Sequence, residues 1–259
     1  MSKLELSARI KVREGALDEF KRHAAECIRQ AKEKDTRTLR FDWFLSEDEA
    51  EFEVREEYVD SEGFLEHRAH IADAARTLLS FAGDHRVMVL GDPSPVLVEG
   101  VAQAPMRETV KWYRYLQGFD LEPASFRDVT PAPGSSAPLE LSAHMTVRPQ
   151  QLDAFRKQAA DILRLTREKD VRTLRYDWFL SSDGTECEVR EAYVDAQGLV
   201  DHNANVVQAR NAFFERSADD HFMTVYGEAS PQLLDLFAAT HMREHMKLFS
   251  FFGGIDGRD

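Results

Sequence analysis

Leu39-Arg40-Phe41-Asp42-Trp43-Phe44-Leu45-Ser46 returns further along the chain as Leu174-Arg175-Tyr176-Asp177-Trp178-Phe179-Leu180-Ser181. Around this stretch, Arg37 to Asp60 matches Arg172 to Asp195 at 18 of 24 positions, a density that chance does not produce. The register extends back to Leu4 on Leu139 and forward to Ala82 on Ser217 without a gap. One extra residue then enters the second copy, after which Gly91 and Ser94-Pro95 fall on Gly227 and Ser230-Pro231. A period of this length suits a domain of roughly 100 to 150 residues rather than a solenoid turn. The chain reads as a tandem duplication, with domains at 1–121 and 139–259. Between them, residues 122–138 hold four prolines and Gly134-Ser135-Ser136, a composition that resists helix and sheet and suits an extended connector.

Each copy has the same order of elements. Leu4, Leu6, Ala8, Ile10 and Val12 alternate with polar residues, as do Leu141, Ala143, Met145 and Val147, which predicts a first strand. Leu17, Phe20, Ala24, Cys27 and Ala31, mirrored by Leu152, Phe155, Ala159 and Ile162, fall at helical spacing. A strand pair follows around Glu47-Asp48-Glu49, or Ser182-Asp183-Gly184 in the second copy. Asp60 and Asp195 are placed to cap a second helix. A fourth strand ends at Gly91 or Gly227, and Ser-Pro then opens a short third helix. The order β-α-β-β-α-β predicts an α+β, ferredoxin-like fold in each copy. The aromatic segments Lys111 to Leu116 and Lys247 to Phe252 are too apolar for water and read as strands added to a sheet edge, crossing to the sister domain.

Composition narrows the function. A formal charge of −13 and a pI near 5.2 repel phosphate backbones, which argues against nucleic acid as a partner. No stretch approaches the roughly 18 apolar residues of a membrane span, and Met1 to Ile10 runs into strand-like sequence without a signal-peptide core. The expectation is a cytoplasmic protein without a membrane partner. Cys27 and Cys187 do not correspond between the copies and read as packing residues. No glycine-rich phosphate loop or nucleotide fingerprint follows a strand, so no organic cofactor is expected.

Four features together resemble the antibiotic biosynthesis monooxygenase family of dimeric α+β barrel proteins. They are the strand-one start, the Leu-Arg-Phe/Tyr-Asp-Trp strand, the Glu-x-Tyr-Val-Asp ending at Asp60 and Asp195, and a second helix opening Gly63-Phe64-x-x-His67 or Gly198-Leu199-x-x-His202. The resemblance covers both copies. It implies that the two sheets pack as an intramolecular barrel, one chain equalling one family dimer, and that the chain oxidises an electron-rich phenol or hydroquinone with molecular oxygen and no cofactor. Haem-degrading relatives use a strand-one asparagine, where this chain has Ala8-Arg9 and Ala143-His144, so haem chemistry is disfavoured.

His67 and His202 lie on the apolar face of the second helix, where a partly buried imidazole suits a general base near neutral pH. The alternative is a core histidine satisfied by a carbonyl. Arg40 and Arg175 stabilise a developing oxyanion if their strand face meets the pocket, and otherwise lock a sheet contact through Asp42 and Asp177. Trp43, Trp178, Tyr58 and Tyr193 are candidate ring-binding residues, with Glu56 and Glu191 beside them to orient a histidine. His70 and Asn205 complete the set and differ between the copies. His67-x-x-His70 has helical metal spacing, but Asn205 breaks it in the second copy and no carboxylate or cysteine completes a ligand set, so no metal is expected. His241 to His245 formally matches a reversed zinc-protease pattern, accidentally, since its counterpart is Pro105 to Thr109. The same histidine base equally serves an isomerase or lyase, and a non-catalytic barrel binding a small aromatic needs the same cavity. The apolar edge segments also leave room for association between tandem chains.

Overall fold

The computed structural model describes residues 4–104, 107–119, 138–227, 230–238 and 241–255; the expected connector, apart from Pro138, lies outside them. The chain divides into two compact units, residues 1–114 with 249–259, and residues 115–248.

In the first unit β1 (Leu4–Val12) is the central strand, paired along both of its edges. Then come α1 (Leu17–Lys34), β2 (Thr38–Ser46), β3 (Glu51–Tyr58), α2 (Ser61–His70), α3 (Ala72–Leu79), β4 (Ala82–Leu90), α4 (Pro95–Gln103) and β5 (Val110–Gln117). β1 pairs antiparallel with β3, Ala8 opposite Val54, and with β4, Ala8 opposite Val87. β3 pairs on its far side with β2, Trp43 opposite Val54. β4 takes β5 in parallel, Val87 opposite Val110.

The second unit repeats this plan with β6 (Leu139–Val147), α5 (Leu152–Lys169), β7 (Thr173–Ser181), β8 (Glu186–Tyr193), α6 (Ala196–Arg216), β9 (Ala218–Tyr226), α7 (Pro231–Ala238) and β10 (Met246–Gly254). β6 lies between β8 and β9, with Ala143 opposite Val189 and Met223. Each unit is α+β with the ferredoxin-like order that the sequence predicts.

The terminal aromatic strands are exchanged. Phe249 to Gly254 closes the free edge of β2 in the first unit, Phe251 opposite Phe44 with their rings 5.6 Å apart. In the second unit, the end of β5 lies against β7. The Tyr115 and Phe179 rings are 5.7 Å apart there, and the Gly118 carbonyl accepts from Arg167 at 2.5 Å. A Cβ at Gly118 would fall on Asp177, so the close approach requires glycine.

The second helix differs between copies. α6 is continuous, whereas its counterpart in the first unit breaks at Ile71, φ −98° and ψ 4°, into α2 and α3. The core of each unit lies between helices and sheet. Phe20, Ala24 and Cys27 of α1 meet Phe41, Trp43, Phe52 and Val54, and Phe155, Ala159 and Ile162 meet Tyr176, Trp178, Cys187 and Val189. Both cysteines are buried free thiols.

Candidate active site

Each second helix is anchored at its start. Asp60 Oδ1 accepts from the Gly63 amide at 3.0 Å and Asp195 Oδ1 from the Gly198 amide at 3.1 Å, which fixes the first turn. One turn on, His67 and His202 point back toward the end of helix one. There Asp35 and Asp170 are the C-cap residues of α1 and α5, and their backbone turns extended to enter the next strand. The imidazole Nδ1 lies 2.6 Å from Asp35 Oδ2 in the first unit and 2.7 Å from Asp170 Oδ2 in the second. Thr38 and Thr173 each donate a hydroxyl to the same carboxylate at 2.8 Å. His70 and Asn205 approach its other oxygen at 2.7 and 2.8 Å.

Burial pushes both carboxyl pKa values up, but the imidazole hydrogen bonds, helped by those of the neighbouring polar side chains, outweigh it and leave both below the ordinary 3.8. An ionised Asp accepts only, so Nδ1 donates to it and, in the neutral ring, Nε2 is the acceptor. The pair is a carboxylate–imidazole dyad built twice. Neither aspartate was singled out from the sequence, although the repeat signals them: Glu33-Lys34-Asp35-x-Arg37-Thr38 recurs as Glu168-Lys169-Asp170-x-Arg172-Thr173. Glu56 and Glu191, expected to orient the histidines, accept instead from the Tyr58 and Tyr193 hydroxyls, at 2.5 and 2.7 Å.

The two cavities differ. In the first unit about 330 Å³ is enclosed by a mainly apolar wall that includes Ile10, Phe41, Trp43 and Ile71, with Glu56 and Arg68 as its charged members. His67, 1% exposed, does not contribute to that wall; its ring is packed 4.4 Å from Phe41 and 5.5 Å from Tyr58. The second unit holds about 830 Å³, lined by His202 itself together with Tyr176, Trp178, Glu191 and Arg210. Asn203, Asn211 and His245 make this wall far more polar.

An exchange of charge accompanies the difference. Arg68 of the first copy becomes Asn203 in the second, while Ala75 becomes Arg210, whose guanidinium bonds the Asn203 side chain. An arginine on the second helix thus lines both cavities from different positions. A second histidine escaped the sequence reading. His85 on β4 and His221 on β9 correspond once the extra residue is counted, and each lines its unit's cavity.

Arg40 and Arg175 are not in either cavity wall. They lie on the strand face opposite Trp43 and Trp178, each with Nε 2.7 Å from the carboxylate two residues on, Asp42 or Asp177. Alternation along a strand makes this unavoidable once the tryptophans face the helices. Tyr58 and Tyr193 are fully buried behind the glutamates, and burial, reinforced by those carboxylates, holds their hydroxyls well above the ordinary value of 10. Burial likewise raises Glu191 above 4.5. In the first cavity burial pushes Cys27 up to about 12, so this thiol stays protonated.

With this geometry the chain is comparable to solved structures of similar architecture. A putative monooxygenase from Fusobacterium nucleatum superposes with a TM-score of 0.59 at 11% identity, covering 85% of this chain and 89% of that one. The fold is that of putative monooxygenases. A second, from Lactobacillus acidophilus NCFM, gives a TM-score of 0.54 at 10% identity over 86% and 92% of the two chains. A putative antibiotic biosynthesis monooxygenase from Nitrosomonas europaea, 18% identical, matches 36% of this chain and 92% of its own at a TM-score of 0.32. No family model and no curated protein matches the sequence. Among the described residues no helix is long and apolar enough to cross a membrane.

Proposed function

We propose that the chain is a cofactor-independent monooxygenase acting on a hydroquinone or similarly electron-rich phenol, with the reaction in the cavity of the second unit. The observation that carries this is His202, its Nδ1 2.7 Å from Asp170, in the wall of a cavity of about 830 Å³. That volume lies within the range of roughly 300 to 1,000 Å³ typical of small-molecule sites.

His202 Nε2 accepts the phenolic proton, and the carboxylate of Asp170 balances the imidazolium that forms. The substrate anion then reduces oxygen, and a carbon–oxygen bond forms at an unsubstituted ring carbon. The imidazolium returns its proton to the peroxide to give a hydroperoxide. That carbon loses its hydrogen as the O–O bond breaks, and water leaves. Hydroquinone plus O2 thus gives hydroxyquinone plus water, with all electrons supplied by the substrate. Arg210 contributes positive charge as the anion develops, and Trp178 and Tyr176 supply the ring-binding wall. Two buried free thiols suit the reducing cytoplasm, where we place the protein.

The test is oxygen uptake by purified protein with a hydroquinone panel under 18O2. Uptake with one 18O atom in the product and one in water supports the proposal. Conversion without oxygen uptake would indicate an isomerase or lyase, and no conversion a binding protein.

A further inference from the structure

The buried polar atoms of the first unit with no hydrogen-bond partner among the described residues include the indole Nε1 of Trp43 and the imidazole Nε2 of His85. Both side chains line the same cavity of about 330 Å³. Trp43 is 3% exposed and its indole N–H is a donor only. An unsatisfied buried donor costs about 1 to 3 kcal/mol, so such a group calls for an explanation. The two residues stand on β2 and β4, at opposite sides of the sheet with β3 and β1 between them, so one short side-chain shift cannot pair them.

The rest of the wall restricts what fits. Phe41, Phe64, Ile71 and Leu78 present flat and branched apolar surface. Glu56 and Arg68 are of opposite sign in one small cavity, so an ionised ligand of either sign meets a like charge and loses its hydration. The dyad histidine of this unit does not line the wall, so the aspartate-backed imidazole that lines the second cavity has no equivalent in this one.

We infer that the cavity of the first unit is a separate binding site, for an uncharged one- or two-ring aromatic molecule whose carbonyl or ether oxygen accepts from the Trp43 indole. His85, which donates or accepts according to its tautomer, meets a second polar atom at the far side. The Trp178 indole in the second cavity is likewise unpartnered among the described residues, so the two sites share the indole donor and differ in the aspartate-backed imidazole that lines the second. This assignment does not depend on oxidation in the second unit.

The test uses benzophenone as both ligand and photolabel on the wild-type chain, with diphenylmethane, the same shape without the oxygen, as competitor. Irradiation should give saturable labelling of peptides carrying Leu6, Ile71 or Leu78, with diphenylmethane competing about tenfold more weakly than unlabelled benzophenone. Trp43→Phe should bring the two compounds to equal affinity by titration calorimetry; if that variant does not fold, the wild-type labelling decides alone. No saturable labelling, labelling confined to peptides between Ala143 and His221, or equal competition by diphenylmethane, as a water-filled cavity would give, overturns the inference.

Discussion

At the scale of single residues, the proposed function rests on the difference between two histidines whose partners correspond. His67 and His202 are both held by an aspartate, yet of the two described cavities the first is not lined by His67 while the second is lined by His202. His202→Ala should therefore lower kcat/KM by roughly 10²- to 10⁴-fold, the usual contribution of a general base. Asp170→Asn removes an anion whose folded pKa lies below its ordinary 3.8. Its stabilising effect is present above that value and is lost as pH falls through the folded pKa. The variant should cost about 1 to 3 kcal/mol at pH 7, a cost that shrinks as pH falls below 3.8 and through the folded pKa, read by urea unfolding. Glu191 has the opposite sign: its raised pKa favours folding below 4.5, and that advantage disappears as pH rises through the folded value. Glu191→Gln, which still accepts from Tyr193, should raise the thermal midpoint at pH 8 and change it little at pH 4.

At the scale of elements, the second helices depend on their first turns. Asp60→Ala should cost about 1 kcal/mol in chemical unfolding, through loss of the Gly63 amide cap, and more if the Arg37 pairing contributes. Strands, helices and caps were legible because apolar spacing and capping chemistry are local, and the repeat displayed each of them twice. The break at Ile71 was not, since Val206 in the unbroken α6 is equally β-branched and neither helix has proline or glycine there. The strand face seen by the pocket was also undecided, because Arg40-Asp42-Phe44 and Leu39-Phe41-Trp43 are both periodic. Packing against α1 decides it for the second set and leaves Arg40 paired with Asp42. Asp35 and Asp170 were overlooked because a residue just past a helix end has no periodic role; what it touches depends on the tertiary path.

At the scale of the whole chain, duplication is the organising event. We propose that the copied unit corresponds to 1–121 and 139–259, joined by residues 122–138. Each compact unit nevertheless borrows the strand that ends the other copy's sequence. A chain ending at Leu248 loses the buried Phe249 and the contacts of Phe251 and Phe252 with Phe44 and Phe52. It should destabilise the first unit by several kcal/mol, at roughly 1.5 to 3 kcal/mol per buried aromatic side chain. It should also self-associate through the bared edge of β2, detectable by calorimetry and sedimentation. The most direct test of the account is oxygen uptake with one hydroquinone substrate by wild type, His67→Ala and His202→Ala, each verified as folded by circular dichroism. We expect His202→Ala alone to lower turnover by about 10²-fold or more and His67→Ala to retain it within about threefold, a difference under 1 kcal/mol in barrier. Equal losses in both variants, or full activity in His202→Ala, would contradict it.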